Sequence, residues 1–326
     1  MELLQPDPSG IQRAVELLRR GELVAFPTET VYGLGANAND DQAIGRIFAA
    51  KGRPANHPLI VHLPAADTMR AWARAIPDAA WRLADVYWPG PLTLVLNKAA
   101  DVSNRITGGQ DTVGLRVPAH PVAQQLLQTF GAALAAPSAN RFGRISPTTA
   151  AHVLDEFAVE NRVLAVLDGG ACSVGLESTI IDLSDKQPRL LRPGMIDLTE
   201  IEQLLGEKVA RPAIGDGPAA PGRLPSHYAP TTPLAVMSGD AIAAMLTQAR
   251  PGIVVLARQA PVADIGAHHW VIMPNDPEAY AFRLYAELRR LDQMHLNQIL
   301  VEQPLQSLEW EAINNRLERA ATPVQH

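Results

Sequence analysis

Apolar positions along the chain fall into two α/β stretches joined by a proline-rich segment. Behind Ser9, a residue type that caps helices, Ile11, Val15 and Leu18 recur at helical spacing, and Gly21 ends the run. Leu23–Pro27 reads as a strand, Asp40–Ala50 as a helix with Ile44, Ile47 and Phe48 on one face, and Leu59–Leu63 as a second strand. Two helical stretches follow, parted at Pro77. Further strands are expected at 92–97, 114–118, 133–136, 163–167, 178–183 and 189–192, and helices at 122–129, 148–157 and 199–205. The order of strand pairs and helices does not fit a simple doubly wound sheet. After residue 233 the pattern restarts, with strands at 234–237, 253–257, 270–273 and 299–301 alternating with helices at 240–250, 277–291 and 308–320. That alternation predicts a small parallel sheet of Rossmann-like shape. Three parts result: 1–209, a linker at 210–232 rich in Pro and Gly, and 233–326.

Composition narrows the chemistry. The 326 residues are 47% hydrophobic and 19% charged, enough to bury a core. Aromatics are 5%, too few for base-stacking platforms, and the net charge of -6 argues against a dedicated duplex binder. Cys172 is the single cysteine, so neither an internal disulfide nor a thiolate zinc site is available. No secretory signal or run of eighteen apolar residues is visible, and the expected location is the cytoplasm. There is no G-x-x-x-x-G-K-[ST], no G-x-G-x-x-G and no H-E-x-x-H. A nucleotide would therefore be held without a P-loop, and no protein-held metal is expected.

Polar residues gather where strands end. Thr28, Glu29 and Thr30 follow the first long strand, and Lys51-Gly52-Arg53-Pro54 precedes the next. Paired cations in such a turn suit a polyanion, although cations also favour any helix C-terminus. Pro137-Ser138-Ala139-Asn140, followed by Arg141, Arg144 and Ser146, can cradle phosphate oxygens; it can equally be an ordinary turn with a helix cap. Residues 168–179 bring three glycines up to Glu177, Ser178 and Thr179, which also suits a plain hairpin. Cys172 there has no histidine near it in sequence and reads as a small packing residue. Arg116 and Arg192 end short apolar strands, each just before a proline-containing turn, and make a cationic pocket reasonable.

Together these segments resemble the threonylcarbamoyl-AMP synthases in their two-domain form. The matching stretches are FPTETVYGLGANA, KGRPANHPLIVH, WPGPLTLVL, GLRVPAHPVA, APSAN, GLESTIID, LLRPG and HYAP, in the family order over about residues 21–234. The closing EAINNRLERAA resembles the end of the second domain. The resemblance implies a YrdC-like domain with a twisted mixed sheet and a smaller Rossmann-like α/β domain. It also implies a nucleotidyltransferase reaction: L-threonine, bicarbonate and ATP give L-threonylcarbamoyladenylate, pyrophosphate and water. Other proteins then transfer the threonylcarbamoyl group to adenosine 37 of tRNA.

By the same resemblance, Lys51, Arg53 and Arg116 carry the catalysis. Thr30, His62, Arg116, the Ala136 backbone and Ser178 would bind L-threonine. ATP would meet Lys51, Arg53, His57, Thr112, Ser138, Asn140, Ser146, Arg192 and Tyr228, with Mg²⁺ held mainly by phosphate and water. Position 57 departs from the usual Asn or Lys, and the linker PGRLPSHYAP departs from a Lys-Tyr-rich stretch. Arg223, His227 and Tyr228 in that linker are expected to form a lid over the pocket. The competing reading is a catalytically silent module that grips double-stranded RNA or tRNA through the same cations. Its signature would be steep salt dependence.

Overall fold

The computed structural model describes residues 1–321 apart from 159–161, 164, 214–215, 223–226, 248–251 and 262–268. It divides into two units: Met1–Phe142 with Ser146–Arg223, and Gly143–Ile145 with Leu224–His326.

The first unit holds strands β1 (Glu2–Leu4), β2 (Val24–Phe26), β3 (Gly33–Asn37), β4 (Ile60–His62), β5 (Leu92–Asn97), β6 (Thr112–Arg116), β7 (Leu134–Ala135), β8 (Ala165–Leu167), β9 (Thr179–Asp182) and β10 (Arg189–Arg192). They form one ten-stranded sheet in the order β1-β8-β2-β3-β7-β4-β6-β5-β9-β10. Parallel neighbours such as β4 with β6 mix with antiparallel ones such as β5 with β6. The sheet is thus the mixed one expected, and not doubly wound.

The pleat sends successive side chains to opposite faces. Ala25, Leu34, Val61, Leu94, Leu96, Leu115 and Ile181 point to the larger core, beneath the helices Asp41–Lys51, Asp78–Tyr87 and Leu198–Leu205. On the opposite face, Val24, Phe26, Leu134 and Leu167 pack under the helices Pro8–Arg19 and Pro121–Phe130. The β4-β6-β5-β9-β10 half of that face is different. Its apolar cluster is Ile60, Val95, Ile180, Leu191 and Ala220, to which no helix contributes.

Two local readings need correction. Ser9 lies inside the first helix and donates to Asp7 at 2.7 Å, while Asp7 is the cap and accepts from the Gly10 N–H at 2.8 Å. Asp7 wins because the helix starts at Pro8, a residue suited to the first turn. No strand was expected between Thr30 and Asp40, yet Gly33–Asn37 is a strand between β2 and β7. Its Gly-Leu-Gly-Ala-Asn sequence has little strand propensity, and pairing on both edges overrides that.

The second unit has a four-stranded parallel sheet of β11 (Leu234–Met237), β12 (Ile253–Ala257), β13 (His269–Ile272) and β14 (Gln298–Glu302), ordered β11-β14-β12-β13. Helices Gly239–Leu246 and Pro277–Asp292 run between its strands, and Glu311–Ala321 closes it. The expected helix end at Arg250 lies outside the described residues.

Candidate active site

The half of the first sheet's face on which no described helix packs carries the polar residues. In register, His62 lies beside Arg116 and Thr93 beside Ile180, so His62, Thr112, Arg116 and Thr93 share the face that holds Ile60 and Val95. Arg116, at the end of β6, is 4% exposed. Its Nη2 donates to Glu29 Oε1 at 2.7 Å, its Nη1 to Thr30 Oγ1 at 2.9 Å and its Nε to the Gly90 carbonyl at 3.2 Å. The second Glu29 oxygen accepts from the Ala119 N–H at 2.9 Å. Thr28 fixes the turn: its hydroxyl donates to the Val31 carbonyl and accepts the Thr30 and Val31 N–H groups. With that proton committed, the Thr30 hydroxyl donates to Thr28 at 2.8 Å and turns its lone pairs to Arg116.

His62 is buried, meets Phe26 edge to face, and makes no hydrogen bond at Nδ1. Burial first, and then the Arg116 charge, push its pKa down to about 3. The imidazole is therefore neutral at physiological pH and serves as a polar contact rather than a cation. A histidine with a depressed folded pKa destabilises in acid, because the unfolded chain takes up a proton that the native one refuses. The window runs from about pH 6.5 down to about pH 3. Between pH 7.5 and 5, wild type is expected to lose about 2 kcal/mol through this group, at about 1.4 kcal/mol per pKa unit. Urea unfolding should show His62→Gln losing less than wild type; equal losses would remove His62 from the account.

The two turn motifs meet. Asp40 caps the helix that delivers Lys51. The Lys51 Nζ is buried and donates to the Ser138 carbonyl at 2.6 Å and to the Asn140 carbonyl. Burial, followed by Arg53, holds its pKa well below the lysine range, with Glu156 opposing. Arg53 donates to the Pro58 carbonyl at 2.8 Å and lies over the Phe142 ring, which also makes a T-shaped contact with His57. Burial and Arg53 lower the His57 pKa as well. The Ser146 hydroxyl donates to Glu177 at 2.5 Å. Tyr32 pins the glycine loop through its hydroxyl, donating to the Gly170 carbonyl and accepting the Gly169 N–H. Cys172 is buried, and burial pushes its thiol up to about 12, which excludes a thiolate nucleophile.

Arg192 reaches Ser178 twice, through the carbonyl at 3.0 Å and Oγ at 3.1 Å, and Ser178 Oγ meets Thr93 at 2.7 Å. Gly194 makes this turn possible. A Cβ there would stand 2.3 Å from the Thr179 nitrogen and 2.6 Å from its Oγ1. Gly194→Ala is expected to cost roughly 1–3 kcal/mol in urea unfolding. An unchanged midpoint would show that the turn can relax.

The structure thus gathers Thr30, His62 and Arg116; Ser178 with Arg192; Lys51 with Ser138 and Asn140; and Arg53 with His57. The Ala136 N–H is taken by the Ile60 carbonyl at 3.0 Å. Thr112 lies on the helix-free face, and Ser146 pairs with Glu177. His227 and Tyr228 belong to the second unit, where Tyr228 stacks on Tyr285 and lies under Arg316. Arg223 lies outside the described residues. Glu29, Glu177 and Thr93 were not among the expected site residues. The one sequence signal for Glu29 and Glu177 was their place beside expected residues, as in Glu29-Thr30 and Glu177-Ser178; Thr93 stands beside none. Among the described residues no group of three or more His, Cys, Asp or Glu could hold a metal ion. No described helix is long and apolar enough to cross a membrane.

Buried arginine and lysine side chains among hydroxyls and backbone carbonyls, gathered at a helix-free part of the sheet, give an α/β protein whose site suits small anionic groups. A family profile described as telomere recombination matches residues 16–194, and one described as threonylcarbamoyl-AMP synthase, C-terminal domain, matches 196–322. The threonylcarbamoyl-AMP synthase of Pyrococcus abyssi is 41% identical over 95% of this chain and 94% of its own. That of Bacillus subtilis is 38% identical over 98% and 95%. The crystal structure of P. abyssi Sua5 complexed with L-threonine superposes with a TM-score of 0.89 at 39% identity, over 98% of this chain and 97% of that one. The chain belongs to the two-domain threonylcarbamoyl-AMP synthase family.

Proposed function

We propose that this chain is an L-threonylcarbamoyladenylate synthase, a nucleotidyltransferase that joins L-threonine, bicarbonate and ATP and releases pyrophosphate and water. The observation that carries this reading is the whole-chain match to a relative solved with L-threonine, in a protein that keeps His62 and Arg116 on one sheet face with Thr30 bonded to Arg116.

Three of the five Arg116 N–H groups are taken by Glu29, Thr30 and Gly90, which leaves one on each terminal nitrogen for the threonine carboxylate. Neutral His62 and the Ser178 hydroxyl suit the amine and side-chain hydroxyl without adding charge. The threonine amine attacks the bicarbonate carbon and water leaves, giving a carbamate. A carbamate oxygen then attacks the α-phosphorus of ATP, and pyrophosphate departs with the electron pair of the broken P–O bond. Such a step is served by alignment and fixed positive charge more than by a strong base. Arg53, Arg192 and the 138–140 turn would face the phosphates. Mg²⁺ would arrive with ATP, its coordination completed by phosphate and water. The adenylate would pass to proteins that modify tRNA.

Pyrophosphate release tests the reading. It should require threonine and bicarbonate together at matched Mg²⁺. Release that ignores threonine, or none at all from folded protein, would sink it. Salt-steep tRNA binding in the absence of release would favour the RNA-binding module instead.

A further inference from the structure

Over the helix-free face lies a strap of the same unit, Pro218-Ala219-Ala220-Pro221. Two prolines restrict its backbone, and Gly217 and Gly222 bracket it with φ of 77° and 83°, a conformation that glycine adopts without strain. The strap is therefore a stiff piece between two swivels. Ala220 seats among Ile60, Val95, Ile180 and Leu191. The Pro221 carbonyl accepts from Arg192 Nη1 at 3.1 Å, so the guanidinium that holds Ser178 also holds the strap. Beneath it about 10 Å³ of water-accessible space remains, bordered by Thr93, Thr112 and Gly114. That is room for about one water and no more.

Ala219 is exposed, yet both its backbone polar groups are committed to one side chain. Its N–H donates to Gln110 Oε1 at 2.6 Å, and its carbonyl accepts from Gln110 Nε2 at 3.2 Å. The same Nε2 also donates to the Thr107 carbonyl at 3.2 Å, which anchors the amide. The carboxamide thus offers the strap the donor and acceptor pair that a neighbouring strand residue would.

We propose that Gln110 is the latch of this strap: it holds residues 218–221 across the face in the ligand-free protein, and the strap must leave Gln110 before a nucleotide reaches Thr112. The identity of the ligand rests on the synthase reading, whereas the latch does not. Gln110 is a positioning residue that acts through the strap and touches no substrate.

Two measurements on the full chain separate these parts. In ligand-free protein, Gln110→Ala is expected to speed amide exchange in the Gly217–Gly222 peptide about tenfold, as two hydrogen bonds to an exposed segment are lost. Stopped-flow binding of a fluorescent ATP analogue should then show an association rate raised by about the same factor, with dissociation unchanged. The gain is limited by the reciprocal of the open fraction, so a tenfold rise means a wild-type strap open at most about a tenth of the time. Gln110→Glu keeps the acceptor for the Ala219 N–H but sets a carboxylate against its carbonyl, and should fall between wild type and alanine. Unchanged exchange in folded Gln110→Ala overturns the latch. Faster exchange with unchanged association overturns the gate. A wild type that binds no nucleotide overturns the synthase reading, and the exchange experiment still decides the latch.

Discussion

Replacing Arg116 by alanine is expected to lower threonine-dependent pyrophosphate release about a hundred- to a thousandfold, the range for loss of one preorganised charged donor. The side chain is 4% exposed and already fixed by Glu29, Thr30 and Gly90, so its remaining N–H groups are oriented before substrate arrives. Lysine at this position should recover little, because a single ammonium cannot hold Glu29, Thr30 and a carboxylate in one plane. The substitution also strands Glu29, which is 6% exposed, without its cation. Breaking one side of a buried pair costs roughly 3–5 kcal/mol. Activity and stability are separable by a second change. Arg116→Met combined with Glu29→Gln should regain much of the stability in urea unfolding and none of the activity. The assignment fails if kcat/KM for threonine in folded Arg116→Ala stays within about tenfold of wild type, since a lost contact to the substrate lowers kcat/KM whether it acts from the ground state on or only in the transition state.

Only Arg116 was legible from its strand; His62 and Thr112 came from the family resemblance, and Thr112 lies outside the strand expected at 114–118. Their common face follows from the pleat once β4 and β6 are paired. The partners of the cations were not readable. Glu29 meets Arg116 across 87 residues, and Lys51 meets the Ser138 and Asn140 carbonyls across 87 and 89. Two motifs that each pass for an ordinary turn become one device only when the fold joins them. Composition marked 210–232 as a single linker, but composition cannot say which apolar residue finds a seat. Ala220 finds one on the first sheet, and the units part at Arg223. Strand β3 was hidden for a related reason, since glycine and alanine signal turns until two neighbours pair with them.

Lys51→Met should have the second large effect, and it tests a brace rather than a phosphate contact alone. Methionine keeps the bulk of the lysine stem but leaves the Ser138 and Asn140 carbonyls without their donor. Each unmet buried acceptor costs about 1–3 kcal/mol, and release of the 138–140 turn should cut pyrophosphate release by at least about a hundredfold. The pH dependence distinguishes the lysine itself from simple loss of packing. Burial and Arg53 lower its folded pKa well below 10.5, so below that value the unfolded chain binds a proton more readily than the native one. Stability then rises with pH toward 10.5, by at most about 1.4 kcal/mol per pH unit, and the methionine protein lacks this slope. Urea unfolding at pH 7.5 and 9.5 measures it. Triphosphate brought near Lys51 raises its pKa again, so any proton taken up on ATP binding should be larger in wild type than in Lys51→Met, most of all toward alkaline pH. Calorimetry in buffers of different ionisation enthalpy reads that uptake. Equal pH slopes in the two proteins would mean that the ammonium stays charged in the fold, and the lysine would then act on the turn and the phosphates as a fixed cation with no proton exchanged.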